Sequence, residues 1–374
     1  MAFTFLHTAD WHIGRTFGNF EPASQSILRR ARLDAIDRLA AVANAHGAAH
    51  AIVCGDVFDG PGLADEQLLA LLARLAAHDA ITWHLLPGNH DPARVDGIWS
   101  RLIKLGLPKN VQVLLSPTPV VIASGVVVLP APLLSKAVSR DPTGWMDAAT
   151  TPGGHIRIGV AHGSTQGFGS GDASNGTISA GRRPSARLDY LALGDWHGVR
   201  EIADGVWYSG TPEPEDFPNN EPGFALIVTI DAAGASPRVQ KIATAAHTWM
   251  KRAYAVSRAD DLATLEAEIA RLGPAKSNVL LELTLTGAVS LADDASIAAR
   301  IAGLEPALFH LRRRFDGLTI DTASDDLASL TDPQLAAVAE RLVALRGSNE
   351  TADIADGALR RLYSFARRAE GQSA

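Results

Sequence analysis

The sequence predicts an α/β protein: a four-layer α/β/β/α sandwich of two mixed sheets with a smaller α+β domain after it. Three observations lead there. Strand-like and helix-like segments alternate from Phe3 to Leu86. Short strand-like runs with few helices then take over as far as Ile230. The pattern shifts again between Lys241 and Met250, which divides the chain into a first domain, 1–245, and a second, 246–374.

Phe3 to Thr8 is apolar-rich, ends just before Asp10 and reads as the first strand. From Ser24 to Ala45 the residues Leu28, Ala31, Ala35, Leu39 and Val42 recur at helical spacing, so this segment is an amphipathic helix. His50 to Cys54 is a buried strand ending at Gly55-Asp56. Ala64 to Ala77 is a second helix rich in Leu and Ala, and Ile81 to Leu86 is a third strand closed by Pro87-Gly88. This β–α–β–α–β rhythm requires parallel strands with helices on a face. Further strands are expected at Val111–Leu115, Val120–Ile122, Gly125–Leu129, Ile156–Ala161, Leu188–Leu193, Val206–Ser209 and Phe224–Ile230. In the second domain, Asp260–Leu272 and Ser296–Leu304 read as helices and Asn278–Leu285 as a strand. Ala307–Asp316 reads as a short apolar–basic segment, and the chain from Asp332 onward as helical and charged.

Composition narrows the function. With 47% hydrophobic and 20% charged residues over 374 positions there is enough apolar material for a core, which excludes a disordered tail protein. The single cysteine, Cys54, excludes an internal disulfide framework and any cysteine-based zinc site. The net charge of −7 argues against coating nucleic acid by bulk charge, though not against a nuclease whose metals and local basic patches meet the phosphates. The most apolar stretch, Pro119 to Leu134, is interrupted by Ser124, Gly125, Pro130 and Pro132 and is too short for a membrane helix. The N-terminus lacks a basic n-region and reaches Asp10 and His12 at once, so no signal peptide and a cytoplasmic location are expected.

The chemistry sits at the strand ends. The first strand delivers Asp10-Trp11-His12. In extended backbone, positions two apart point the same way, so Asp10 and His12 are expected to converge on one ion. The second delivers Gly55-Asp56-Val57-Phe58-Asp59 and the third Gly88-Asn89-His90-Asp91. Later strands deliver Ala161-His162-Gly163 and Gly194-Asp195-Trp196-His197. These are the carboxyl ends of strands, where open α/β sheets build their crevice. A mixed carboxylate, imidazole and amide donor set suits Mn²⁺, Fe or Zn. A carboxylate can bridge two such ions, and an ion pair of that kind clamps both the attacking and the leaving oxygen of a phosphoryl displacement.

The series DxH, GDxxD, GNHD, H, GxxH resembles the calcineurin-like metallophosphoesterase superfamily from residue 4 to about 230. The resemblance implies two divalent metal ions, most simply Mn²⁺, with Fe or Zn as alternatives. Asp10, His12 and His197 would bind the first, Asn89 and His162 the second, with Asp56 between them. His90 would face the substrate and protonate the leaving oxygen, while Asp59 and Asp91 orient neighbouring groups. One position departs from the pattern: the family usually has GHxH at the last motif, and Asp195 stands where a second-metal histidine is expected. A carboxylate can ligate Mn²⁺ or Fe, so a retained site with altered metal preference is expected, against the alternative of a weakened one.

Gly60-Pro61 after GDxxD and Asp91 in GNHD speak against the protein Ser/Thr phosphatase branch. The run Tyr208 to Phe217 (YSGTPEPEDF), closing on Gly223-Phe224, is similar to SbcD-type DNA repair exonucleases, including the YhaO-like group. LDYLALGDWHG likewise resembles their LDYxALGHxH. That likeness implies a C-terminal capping domain that helps seat DNA, a coiled-coil SMC-like ATPase partner, and a homodimer. The expected function is therefore a two-metal phosphodiesterase cleaving DNA as an exonuclease or endonuclease subunit. The rivals are a small-molecule or cyclic-nucleotide phosphodiesterase and a catalytically weak DNA-end-binding scaffold for the ATPase.

Other features have plainer readings. His7, His46, His50, His78, His84, His155, His247 and His310 match no motif and are expected to be packed or surface histidines. The Gly-rich loop Ser164–Gly181 leads into Arg182, Arg183 and Arg187, candidates for contact with a phosphate backbone. Arg312, Arg313 and Arg314 form either a solvated basic face or a second such contact. Ile354, Ala358, Leu362 and Phe365, flanked by Arg360, Arg361, Arg367 and Arg368, form a basic amphipathic helix that docks on its own domain or on the ATPase.

Overall fold

The computed structural model describes residues 2–165, 177–217, 220–321, 330, 332–347 and 351–371. Two compact units divide the chain, Met1–Ala246 and His247–Ala374.

In the first unit the strands are β1 (Phe3–Thr8), β2 (His50–Cys54), β3 (Thr82–Leu86), β4 (Val111–Val113), β5 (Val120–Ala123), β6 (Val126–Ala131), β7 (Ile156–His162), β8 (Tyr190–Gly194), β9 (Arg200–Ala203), β10 (Val206–Tyr208), β11 (Phe224–Ile230) and β12 (Arg238–Ala243). The helices are α1 (Pro22–Ala45), α2 (Asp65–Ala76), α3 (Ile98–Lys104) and α4 (Arg182–Ser185). One six-stranded sheet runs β12-β11-β1-β2-β3-β4 and the other β5-β6-β7-β8-β10-β9. Both are mixed. β1, β2, β3 and β4 are parallel neighbours, with β11 antiparallel to β1. β6, β7 and β8 are parallel, with β5 antiparallel to β6.

Side-chain alternation builds the layers. Phe3, Phe5, Ile52, Cys54 and Leu86 of the first sheet share one core with Val126, Val128, Ile158, Val160, Tyr190 and Ala192 of the second. The opposite positions of the first sheet, among them Leu6, Val53, Trp83 and Leu85, pack under Ile36, Leu39, Leu68 and Leu72 of α1 and α2. On the far side of the second sheet, Val127, Leu129, Leu191 and Leu193 are covered by Met146, Ile178 and Ala186. Helix, sheet, sheet and a thinner helical layer are the α/β/β/α sandwich that the sequence predicts.

Among the described residues the second unit has three strands, β13 (Thr248–Ala255), β14 (Val279–Val289) and β15 (His310–Ile320), all parallel in the order β13-β14-β15. Its helices are α5 (Ala263–Arg271), α6 (Leu291–Leu304), α7 (Pro333–Leu345) and α8 (Ala352–Gly371). Leu281, Leu283, Leu285 and Val289 of β14 bury against Leu265, Ile269, Ile297, Ile301, Leu359 and Tyr363. Among the described residues no helix is long and apolar enough to cross a membrane.

Four strands and two short helices escape the hydrophobic pattern, α4 with only four residues. β9, β12, β13 and β15 carry polar or charged residues at half or more of their positions, because one side of each faces solvent. β15 is the apolar–basic segment. α3 is only seven residues long.

Candidate metal centre

The loops leaving β1, β2, β3, β7 and β8 meet at one place. The β1 and β2 loops run side by side: the amide of Asp10 donates to the Gly55 carbonyl (3.1 Å), that of His12 to Asp56 (3.0 Å) and that of Ile13 to Val57 (2.9 Å). The amide of Gly163 ties the β7 loop to the Gly194 carbonyl of β8 (3.1 Å).

Convergence has a different cause from the one expected. β1 ends at Thr8, and Asp10 and His12 have φ of 55° and 43° rather than extended backbone. Two left-handed kinks, not a strand pleat, turn both side chains to the centre. Asp56 (φ 50°) and Asp195 (φ 104°) are also at positive φ. Each such non-glycine residue costs roughly 1–3 kcal/mol, a cost that persists where the surroundings over-determine the conformation. Glycines clear the space: a Cβ on Gly55 would lie 2.2 Å from Nδ1 of His162, and one on Gly88 2.2 Å from Oδ1 of Asp56.

Asp10, His12 and His197 bring donor atoms within 4.8 Å of one another, and so do Asp10, Asp56 and His162, and His12, Asp56 and His90. Nδ1 of His162 lies 2.8 Å from the Cys54 carbonyl, which can only accept, so Nδ1 carries the proton. Nε2 then faces Asn89 Oδ1 at 3.0 Å, Asp56 Oδ2 at 3.4 Å and Asp195 Oδ1 at 3.9 Å. One imidazole nitrogen surrounded by acceptor oxygens is satisfied by a cation. Nε2 of buried His12 lacks a hydrogen-bond partner, which points the same way. The donor set fits divalent metal ions.

Electrostatics agree. Burial pushes Asp10 well above the usual carboxylate range, with Asp56 and Asp195 adding to the effect. Burial works the same way on Asp56, but His162, His12 and His90 outweigh it and hold that carboxyl low. Burial would depress His162, yet Asp56, Asp10 and Asp195 raise it well above the ordinary histidine value. A centre this rich in carboxylate attracts positive charge.

The remaining predicted site residues take distinct places. His90 is half-buried. Its Nδ1 donates to the Asp59 carbonyl (3.0 Å), which leaves Nε2 as the other ring donor or acceptor, and its amide donates to Asp56 Oδ1 (2.9 Å). Asp59 Oδ1 lies 3.3 Å from Nδ1 of His12 and 3.3 Å from Arg15. Asp91 is fully buried and accepts the amides of Gly88 (2.6 Å) and Phe58 (2.9 Å), so it braces the β2 and β3 loops against each other. Asp195 reaches the cluster through its amide, which donates to Asp10 (3.1 Å), and its Oδ2 accepts from Ser164 (3.0 Å).

The arginines expected to meet DNA are mostly engaged. Arg182 corrects the sequence reading: it is buried, its guanidinium held by Asp141, Asp147 and Thr143, and it cannot reach a backbone phosphate. Arg183 pairs with Asp204, while Arg187 is exposed. In the second unit Arg312 (3.3 Å) and Arg314 (3.7 Å) flank Glu282, and Arg313 pairs with Glu305. Residues 166–176 of the Gly-rich loop, and the side chains of Arg367 and Arg368, lie outside the described residues.

Two residues of the centre were missed. Arg32 of α1 is buried and donates to the carbonyls of Trp11 (2.8 Å), Asp10 (3.1 Å) and Glu213 (2.9 Å). Its signal was an arginine four positions after Leu28, on the apolar face of the helix. Glu215 lies within the YSGTPEPEDF run. It is near Arg15 (3.4 Å), Arg32 (3.6 Å) and His197 (3.2 Å). Its sequence signal was weak, since acidic residues are common in loops.

Two mixed sheets whose loops pool aspartate, asparagine and histidine around a cation-seeking centre are the framework of a metal-dependent phosphoester hydrolase. The family model for calcineurin-like phosphoesterases matches residues 3–229, and the chain belongs to that family, whose members bind two divalent metals. Over 93 residues the chain is 37% identical to the SbcD subunit of nuclease SbcCD from Rhodobacter capsulatus, a match spanning 24% of this chain and 22% of that protein. Two solved structures are similar at 12% identity, each over 65% of this chain: TT1561 of Thermus thermophilus (all of that chain, TM-score 0.41) and a dimetal phosphatase from Danio rerio (99% of that chain, TM-score 0.40).

Proposed function

We propose that the protein is a two-metal phosphodiesterase that hydrolyses DNA, an exonuclease or endonuclease subunit of SbcD type acting in DNA repair. The observation that carries this is the 37% identity to the SbcD subunit of nuclease SbcCD, and it is local, covering 22% of that protein. A cavity of about 240 Å³ beside the centre supports a substrate larger than a phosphate. Asn89, His90 and Asp91 form one end, Pro61, Pro92 and Ile98 an apolar wall, and Arg94 and Lys136 supply positive charge. An apolar wall for a nucleoside and cations for a neighbouring phosphate are what a polynucleotide requires.

Asp10, His12 and His197 would hold one cation, Asn89, His162 and Asp195 the other, and Asp56 would lie between. The ions, most simply Mn²⁺, supply charge neutralisation at the phosphoryl group. The chain's own groups do the rest. His90, oriented through Nδ1 by the Asp59 carbonyl, presents Nε2 to the leaving oxygen and gives it a proton. Asp91 keeps the β2 and β3 loops in register. Residues 246–374 would serve as a capping domain, with an SMC-like coiled-coil ATPase and a second copy of the chain as partners.

The test is Mn²⁺-dependent cleavage of end-labelled duplex and single-stranded DNA, with Asp10→Ala alongside. Degradation that needs metal and is lost in the variant is expected. Cleavage of a small generic diester but not of DNA would overturn the nuclease reading in favour of a small-molecule phosphodiesterase. No cleavage of either, with the second cation weakly held, would favour the scaffold.

A further inference from the structure

We infer that Glu215 is the positioning residue of His197: it receives the Nδ1 proton and so presents Nε2 to the cation held by Asp10, His12 and His197. The inference rests on the metal-dependent reading of the same centre.

Glu215 arrives from the segment after β10, not from any of the metal motifs. Its Oε1 lies 3.2 Å from Nδ1 of His197. Its side chain is 10% exposed and that of His197 31%. Oε2 is buried without a hydrogen-bond partner. It lies near Arg15 at 3.4 Å and Arg32 at 3.6 Å. The two guanidinium groups stabilise the carboxylate as an anion and fix where it sits. Arg32 also donates to the Glu213 carbonyl (2.9 Å), two residues upstream, so the turn carrying Glu215 is anchored as well.

His197 needs such a partner. Its ring stands 5.3 Å from that of His12, and only one of its nitrogens can carry the proton if the other is to bind a cation. A carboxylate behind the ring decides which. His12 has the same arrangement with Asp59 at 3.3 Å from its Nδ1. The two imidazoles therefore face the centre with a carboxylate behind each. A carboxylate in this role raises the basicity of the ligand nitrogen and locks the ring, and losing it costs roughly 10–100-fold in metal affinity.

The experiment is titration of the full chain with Co²⁺ alone, followed by its visible absorption and by calorimetry. It compares wild type, Glu215→Gln, His197→Ala and the double variant. Wild type is expected to bind two ions, and Glu215→Gln to weaken one of them by about tenfold or more while leaving the other unchanged. In the His197→Ala background, Glu215→Gln is expected to add nothing, because the residue it acts through is gone. A folded Glu215→Gln protein with both affinities intact overturns the inference, and so does an equal loss persisting without His197. A wild type that binds no Co²⁺ overturns the metal centre itself, which distinguishes the two failures. Should Glu215→Gln not fold, nitrogen-15 spectra of the wild-type imidazoles decide the matter. His197 protonated on Nδ1 supports the inference, and protonation on Nε2 overturns it.

Discussion

The main-chain carbonyl of Cys54 accepts the Nδ1 proton of His162 at 2.8 Å, so the last residue of one strand sets the tautomer of a candidate metal ligand 108 positions away in the other sheet. Gly194, at the end of the strand beside it, is part of the same arrangement. A Cβ on Gly194 would lie 1.9 Å from the Cys54 oxygen and 2.9 Å from Nδ1 of His162. Gly194→Ala therefore has to push apart two backbones. The expected loss is about 3 kcal/mol, the upper end for overpacking, measured by urea unfolding in EDTA. A loss below about 1 kcal/mol would show that the sheets yield where they are described as tight.

Asp195 stands where the motif resemblance leads one to expect a histidine. Asp195→Asn keeps its shape and suits its positive φ (104°) while removing the charge. The expected result is at least about tenfold weaker binding of one cation and none of the other, with thermal stability in EDTA preserved. Two wild-type affinities would make Asp195 a bystander held by Ser164.

Much of this centre was legible because its residues stand in short motifs directly after apolar strands. Asp10, Asp56, Asn89, His90 and His162 could be named with no knowledge of how the sheets pair. What could not be read is how Asp10 and His12 converge, because left-handed backbone leaves no periodic trace. Arg32 and Glu215 were hidden for another reason. Their partners are carbonyls and side chains about 20 to 180 positions distant, and such contacts exist only after folding. The basic residues showed the opposite failure: Arg182 looked like a phosphate ligand until its aspartates came within reach.

Acid is expected to destabilise the protein through two buried histidines that belong to none of the metal motifs. Nδ1 of His7 accepts from the Tyr190 hydroxyl (3.0 Å) and its Nε2 donates to the Leu193 carbonyl (3.1 Å). Burial lowers its pKa to about 3. His84, between His50 and Gln112, is lowered to about 4 by burial and then by His50. Above the unfolded value of 6.5 both are neutral in either state and add no slope. Below it the unfolded chain binds protons that the folded chain refuses, so stability falls with pH until the folded values are reached. Each histidine removes up to about 1.4 kcal/mol per pH unit. His84→Gln isolates one of them: its penalty near neutrality should shrink by about 1.4 kcal/mol one unit below the unfolded pKa. Unfolding curves for the two proteins that stay parallel across that range would remove His84 as a cause.

His90 touches the metal motifs through its amide, which holds Asp56 (2.9 Å), and through Nδ1 of its ring, which holds the Asp59 carbonyl (3.0 Å). His90→Ala keeps the amide. The expected outcome is a fall of roughly 10²–10⁴-fold in the rate of diester cleavage, the range for a lost general acid, with both cations still bound. Single-turnover kinetics on wild type and variant at saturating Mn²⁺ provide the check. Undiminished cleavage by a folded variant would move the proton donor elsewhere.

Arg32 is the residue on which the geometry of the β1 loop most depends. Its guanidinium donates to the carbonyls of Trp11, Asp10 and Glu213 from the buried face of α1, and its charge faces Glu215. The Asp10 and Trp11 carbonyls lie beyond the end of β1, in the loop kinked at Asp10 and His12. Arg32→Met keeps the apolar stem and removes the whole fork. It leaves the Trp11 carbonyl without its donor, the Asp10 and Glu213 carbonyls sharing the one Thr211 hydroxyl (2.8 and 2.9 Å), and Glu215 short of a counter-charge, a loss of about 3–5 kcal/mol by the measure of broken buried ion pairs. Arg32→Lys should recover little, since an ammonium cannot reach three carbonyls in a planar fan. Because the loop held by Arg32 carries two candidate ligands, Asp10 and His12, metal affinity should fall along with stability. Urea unfolding in EDTA reads the first effect and Mn²⁺ titration of the still-folded protein the second. A Met variant as stable as wild type would mean that water takes over these carbonyls, and that the kinks at Asp10 and His12 hold without the arginine.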